Sequence, residues 1–185
     1  MTIEERLAAL EAKWQEMEDR RAIFDCIKRN ARGNDRFDAE LVSSTYHDDG
    51  IHQLGLKDIP GRDYGAHANG AHGALFDANL HNVTMHTCEI DGNVAHAESY
   101  SLGLFLDKGA ETGRILAGRY IDRLEKRGGQ WRIVLRRTTV EVAMEGRSTL
   151  PHGAALSGSG YLRGNRDRSD PSYERPLRGE TGGRW

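Results

Sequence analysis

The sequence predicts an α+β fold, with helices packed on one face of a curved antiparallel sheet. Three observations carry this. The chain opens on a long stretch with apolar residues at helical spacing and no Gly or Pro until Gly33. Residues 83–142 then form four strand-like runs joined by short Gly-containing connections. With 185 residues there is one domain's worth of chain, long enough to enclose a core with an internal pocket.

Residues 2–32 read as the first helix, opened by Thr2 and Glu5 in capping-box spacing. Leu7, Leu10, Trp14, Met17 and Phe24 alternate at spacings of 3 and 4, interrupted at Arg21, while Ile23 and Ile27 widen the apolar face in the second half. The second half is therefore expected to pack on the domain, and the first to dock on a sheet or a sister subunit, with an ordinary amphipathic helix on its own domain as the plainer reading. Ala39 to Tyr46 reads as a short helix, and His47-Asp48-Asp49-Gly50 as a turn before the run Ile51 to Leu54. Small residues dominate from Pro60 to Asn79, which reads as a loop or a closely packed helix. The strand runs follow as Val83–Ile90, Val94–Leu106, Arg114–Lys126 and Trp131–Val142. Residues 146–185 hold 7 Arg against 4 acids and few large apolar side chains, a composition that cannot fold alone. This tail is expected to wrap the domain or a sister subunit through Tyr161, Pro171, Tyr173 and Pro176, with its end near Gly179 to Trp185 partly disordered. The organisation expected is an N-terminal helical extension over 1–17, a domain over 18–145 and the tail over 146–185.

Composition removes several function classes. A formal charge of −2 leaves no basic footprint for nucleic acid, which calls for a domain of pI above about 9. No apolar run reaches the roughly 20 residues of a spanning helix, and the N-terminus lacks a signal-peptide pattern, so a cytoplasmic location is expected. Cys26 and Cys88 read as reduced and structural. Dinucleotide, P-loop, zincin and serine-hydrolase motifs are all missing. His47, Asp48, Asp49 and His52 cluster, and His67 and His72 stand five apart, but neither set has a ligand spacing that favours a metal site.

The residues left to carry chemistry are scattered. Asp35 lies at the end of the first helix, where an acid opposes the helix dipole; it reads as a turn-forming Asp or as a residue kept for function. His81 begins a strand run, and alternation puts His86 on the opposite face, so only one of the two is expected to point inward. An inward imidazole paired with a carboxylate makes a general base suited to neutral pH, although a strand His is more commonly structural. Arg136 and Arg137 likewise point to opposite faces, so one can enter a pocket and bind an anionic or phenolic oxygen.

Five strings in order now point to a family: Ala31-Arg32-Gly33-Asn34-Asp35-Arg36, Tyr46-His47-Asp48-Asp49-Gly50, Leu80-His81-Asn82, Gly118-Arg119-Tyr120-Ile121-Asp122-Arg123 and Gly129-Gln130-Trp131-Arg132-Ile133. Over residues 18–143 the chain resembles the SnoaL-like branch of the NTF2-like superfamily, whose fold is an α+β cone with a deep pocket between sheet and helices. The resemblance to its scytalone dehydratase and hexachlorocyclohexane dehydrochlorinase groups implies a cofactor-free Asp–His dyad for elimination. Asp35 matches its first position and His81 its second; His52, Tyr100, Tyr120 and Arg136 match pocket-lining positions. Tyr64 is a further substrate-binding candidate, in a Gly/Ala-rich stretch that departs from both groups. Asn34 also departs, standing where the dehydratases have a tyrosine. The resemblance thus implies a cofactor-independent lyase acting on a small hydroxylated aromatic substrate, by dehydration or by C–C cleavage releasing formaldehyde from a lignin-derived diarylpropane diol. A cyclase or isomerase would use the same residues. A non-catalytic ligand-binding or assembly subunit would instead have a sealed apolar cone. The sheet's second face needs cover, which a homodimer or homotrimer would supply.

Overall fold

The computed structural model describes residues 1–109, 111–149 and 164–178. Three helices, α1 (Ile3–Asp35), α2 (Ala39–Ser43) and α3 (Gly61–Leu75), pack against six strands. The strands are β1 (Tyr46–Leu54), β2 (Lys57–Pro60), β3 (Phe76–Asp91), β4 (Val94–Asp107), β5 (Thr112–Arg127) and β6 (Gln130–Arg147). They lie in the order β2-β1-β6-β5-β4-β3 in one open sheet. Tyr161 and residues 179–185 of the tail lie outside the described residues.

The capping box forms at the start of α1: the Glu5 amide donates to Thr2 Oγ1 at 3.1 Å, and the Thr2 amide donates to the Glu5 carboxylate at 2.7 Å. The helix then runs 33 residues as one piece. Residues 1–17 are all exposed, whereas Ile23, Cys26 and Ile27 are fully buried against the sheet. The core they enter includes Val42, Tyr46, Leu124, Trp131 and Ile133. Both cysteines are free, and burial pushes the Cys26 thiol up to about 11, which keeps it protonated and inert.

Two features differ from the sequence expectation, and a third decides between two expected alternatives. The sheet is mixed, because β1 runs parallel to β6 while every other pair is antiparallel. Local patterning carries no record of which strand completes the free edge of β6; the parallel partner is β1, to whose flank the Ile133 amide donates through Thr45 O at 2.9 Å. The turn signal His47 to Gly50 is absorbed into β1 as an irregularity between Tyr46 and Ile51. The small-residue stretch is the helix α3, lying close on α2: a Cβ on Gly65 would come within 2.2 Å of the Ala39 carbonyl oxygen.

Four more irregularities interrupt the ladders, at Phe76/Ala78 and Val83/His86 on β3 and at Ala117/Gly118 and Arg123/Leu124 on β5; at the third, a Cβ on Gly118 would meet the Thr139 carbonyl at 1.9 Å. The Val83/His86 bulge corrects the reading of the β3 histidines. Thr84 and Met85 both face out, so the alternation is reset and His81 and His86 both point inward. His86 Nδ1 meets Ser99 Oγ at 2.9 Å and its ring stacks on Phe24, with centroids 4.7 Å apart.

Candidate active site

The C-terminal end of α1 delivers Asp35 to the inner face of β3, where Asn79 and His81 stand two residues apart on one side of the strand. His81 Nδ1 lies 2.7 Å from Asp35 Oδ1. The His81 amide donates to both carboxylate oxygens, at 3.1 and 2.9 Å, and Asn79 Nδ2 donates to Oδ1 at 3.1 Å and to the Asn34 carbonyl at 3.2 Å. With the carboxylate accepting from Nδ1–H, the imidazole is fixed in the tautomer whose Nε2 carries a lone pair. Nε2 has no hydrogen-bond partner among the described residues.

His81 also lines an interior cavity of about 170 Å³. Tyr64 and His72 of α3 form one side, and Ser101, Phe105, Tyr120 and Thr138 of the sheet another. Burial and the nearby His81 push His72 down to about 4, so it is a neutral imidazole at neutral pH. Its ring centroid is 5.2 Å from that of His81, and its buried Nδ1 finds no hydrogen-bond partner among the described residues. Burial raises the hydroxyls of Tyr64 and Tyr120, which therefore stay protonated as donors. A second, open groove of about 470 Å³ reaches the dyad from outside, between Lys28, Arg32 and Arg36 of α1 and Asp170 and Ser172 of the tail.

Of the seven residues singled out from the sequence, the structure gathers Asp35, His81, Tyr64 and Tyr120 around the cavity or its wall. The other three are elsewhere. His52 sits one layer behind: its ring stacks on Tyr64 at 3.7 Å, Nδ1 meets the Tyr46 hydroxyl at 2.7 Å and Nε2 meets Thr138 Oγ1 at 3.0 Å. Burial and the Arg136 charge push it down to about 2, so it buttresses Tyr64 and Thr138 as a neutral ring. Arg136 points inward but is consumed by the fold. It makes two hydrogen bonds of 2.7 Å to Asp122, one of 2.9 Å to Asn30 Oδ1, and lies 4.2 Å from the Tyr120 ring centre. Arg137 faces out to Gln53. Tyr100 is 42% exposed, because alternation along β4 turns Ser99 and Ser101 inward and Tyr100 to the outer face.

Two site residues escaped the sequence reading, Asn79 and His72. The signals were there: Asn79 is two positions before His81 on one strand face, and Tyr64, Ala68 and His72 recur every fourth residue on one helix face. Among the described residues no group of three or more His, Cys, Asp or Glu side chains is placed to hold a metal ion. His47 Nε2 instead meets the Glu125 carbonyl, and Asp49 pairs with Arg127. Nor is any described helix long and apolar enough to cross a membrane.

A curved sheet wrapped on helices, with a pocket between the layers, defines an NTF2-like cone. The chain belongs to the SnoaL-like domain family, whose model matches residues 15–137. Among solved structures it is similar to a type 2 hexachlorocyclohexane dehydrochlorinase, at 18% identity and a TM-score of 0.70, over 77% of this chain and 99% of that one. A protein of Novosphingobium aromaticivorans assigned as a scytalone dehydratase is 21% identical, with a TM-score of 0.64, over 76% and 97% of the two chains. A protein of unknown function from Mycobacterium tuberculosis is 28% identical, with a TM-score of 0.60, over 69% and 77%. No curated protein matches the sequence.

Proposed function

We propose that the chain is a cofactor-independent lyase in which His81 removes a proton from a small hydroxylated aromatic substrate. The observation that carries this is the polarity of the dyad: Nδ1 is tied to Asp35 at 2.7 Å, Nε2 has no protein partner among the described residues, and the His81 side chain lines the cavity. In a dehydration, His81 Nε2 takes a proton from carbon, the C–H electrons become the new π bond, and the neighbouring C–O bond breaks. The departing hydroxide leaves as water with the proton that His81 returns. Asp35 holds the transient imidazolium. The neutral His72 and the protonated Tyr120 and Tyr64 offer hydrogen bonds to the oxygen on which negative charge develops.

Two further observations support the reading. Both of these neighbours are named for eliminations, and the mostly apolar cavity wall here carries Tyr64, His72, His81, Ser101, Tyr120 and Thr138, unlike a wholly apolar cone. The cavity, about 170 Å³, is below the roughly 300 Å³ at which drug-sized ligand sites begin. A compact one- or two-ring substrate would need the cavity alone, whereas a diarylpropane diol would extend into the groove of about 470 Å³ that also borders the dyad.

The test is incubation with hydroxylated one- and two-ring aromatics and diarylpropane diols, followed by ultraviolet absorbance and mass spectrometry. Loss of water from a compact substrate is the expected result. His81→Ala and Asp35→Asn are expected to lower kcat by about 10²–10⁴-fold with unfolding midpoints kept. Turnover indifferent to both substitutions, or none across the panel, would discard the dyad in favour of a ligand-binding role.

A further inference from the structure

The first half of α1 is a helix without a partner in its own chain. Ile3, Leu7, Leu10, Trp14 and Met17 recur at spacings of 4, 3, 4 and 3, and each is between 55 and 79% exposed. At about 1.5 Å per residue this stripe runs some 20 Å along the helix. Soluble chains rarely leave so continuous an apolar seam in water.

What covers it is written in the charges beside it. In heptad notation, Ile3, Leu10 and Met17 occupy d positions, and Leu7 and Trp14 occupy a positions. Every e position alongside them is then acidic, as Glu4, Glu11 and Glu18, and the g positions Arg6 and Lys13 are basic. The seam thus has one acidic and one basic edge. Arg6, Glu11 and Lys13 have no ion-pair partner among the described residues, and Glu18 is held only by Arg21 of the same helix.

We propose that the 3–17 segment of α1 pairs in parallel and in register with the same segment of a second copy of this chain. In that arrangement each g residue faces the e residue five positions later on the other helix, so Arg6 meets Glu11 of the second copy and Lys13 meets Glu18 of the second copy. The antiparallel alternative sets the basic edges against each other and the acidic edges likewise, which like-charge repulsion opposes. The seam ends at Met17 because the next a position is Arg21, already bound to Glu18 and Asp25. Beyond it the helix turns its apolar face to its own domain, burying Ile23 and Ile27. One helix therefore serves two partners in sequence, first a second copy and then its own sheet. The pairing is independent of the catalytic reading, since no residue of the dyad or cavity takes part.

Crosslinking and charge reversal test it on the full-length chain. Met17→Cys, mildly oxidised, is expected to give a disulfide-linked pair well above the background that wild-type Cys26 and Cys88 produce. Parallel register brings the two Met17 positions together, and antiparallel register places each near Ile3. Arg6→Glu/Lys13→Glu and Glu11→Lys/Glu18→Lys, measured separately by sedimentation, are each expected to weaken self-association by about tenfold or more, with helical circular dichroism retained. Mixing the two charge variants is expected to restore association. Linkage of Met17→Cys no greater than wild type would overturn the proposal. So would charge variants that associate as tightly as wild type, because the seam would then rest elsewhere, such as on the outer face of a neighbour's sheet.

Discussion

At the scale of single residues, the strongest interaction in the core is one that the sequence offered as a binding group. Arg136 and Asp122 are both fully buried and joined by two hydrogen bonds of 2.7 Å. Burial alone pulls the Arg136 guanidinium down, but Asp122 outweighs it and holds Arg136 charged. Arg136→Met is therefore expected to destabilise the protein by about 3–5 kcal/mol, since it strands a carboxylate in the core. Adding Asp122→Leu is expected to recover most of that loss in urea titrations, and a single variant as stable as wild type would refute the account. Strand alternation showed that one of Arg136 and Arg137 turns inward, but neither which of them nor what occupies it. Which acid a buried base meets depends on the pairing of β5 with β6, where Asp122 and Arg136 fall opposite each other. Asp35 and His81 were legible for the reverse reason: one closes a helix and the other stands on a strand, in local strings that resemble a family.

At the scale of elements, α3 brings two side chains to the cavity and rests on a contact only glycine permits. Tyr64 and His72 ride on it, and Gly65 lets its backbone come against Ala39 of α2. Gly65→Ala puts a methyl within 2.2 Å of the Ala39 carbonyl oxygen, so α3 must shift. The expected cost is about 1–3 kcal/mol in denaturant titrations, and a rise in KM should accompany it as Tyr64 and His72 move. An unchanged midpoint would mean that α2 yields instead. The helices and the β3–β6 meander were readable because period and turn residues are local. The β1–β6 parallel pairing and the β3 bulge were not, because strand partners and register shifts are set by contacts far apart in sequence. The bulge alone decided that His86 joins His81 on the inner face.

At the scale of the whole molecule, burying neutral histidines makes stability depend on acid. His52 and His72 are pushed down to about 2 and about 4, chiefly by burial. Both stay uncharged in the folded chain below the roughly 6.5 at which an unfolded histidine takes up its proton. The unfolded state then binds more protons, and stability falls as pH drops through this window. The slope is expected to reach about 1.4 kcal/mol per pH unit for each, ending near pH 4 for His72 and continuing lower for His52. Urea midpoints between pH 7 and pH 4.5 measure it, and His72→Phe should reduce the slope by one histidine's share. A flat profile would show that these rings are hydrated in the folded chain. The tail adds a second global tie. Asp170 accepts a 2.5 Å hydrogen bond from Arg36, next to Asp35, so residues from beyond the sheet brace the helix end that holds the carboxylate. That brace was invisible in composition, which showed only a basic, weakly apolar segment. The unbroken length of α1 has its own consequence. At 3.6 residues per turn, one residue inserted near Gln15 would rotate the seam by about 100° about the axis while Asp35 kept its seat. If the proposed pairing holds, the helix is a shaft that sets the phase between that pairing and the proposed site, so the orientation of paired copies could be re-indexed in sequence without retuning the Asp35 end.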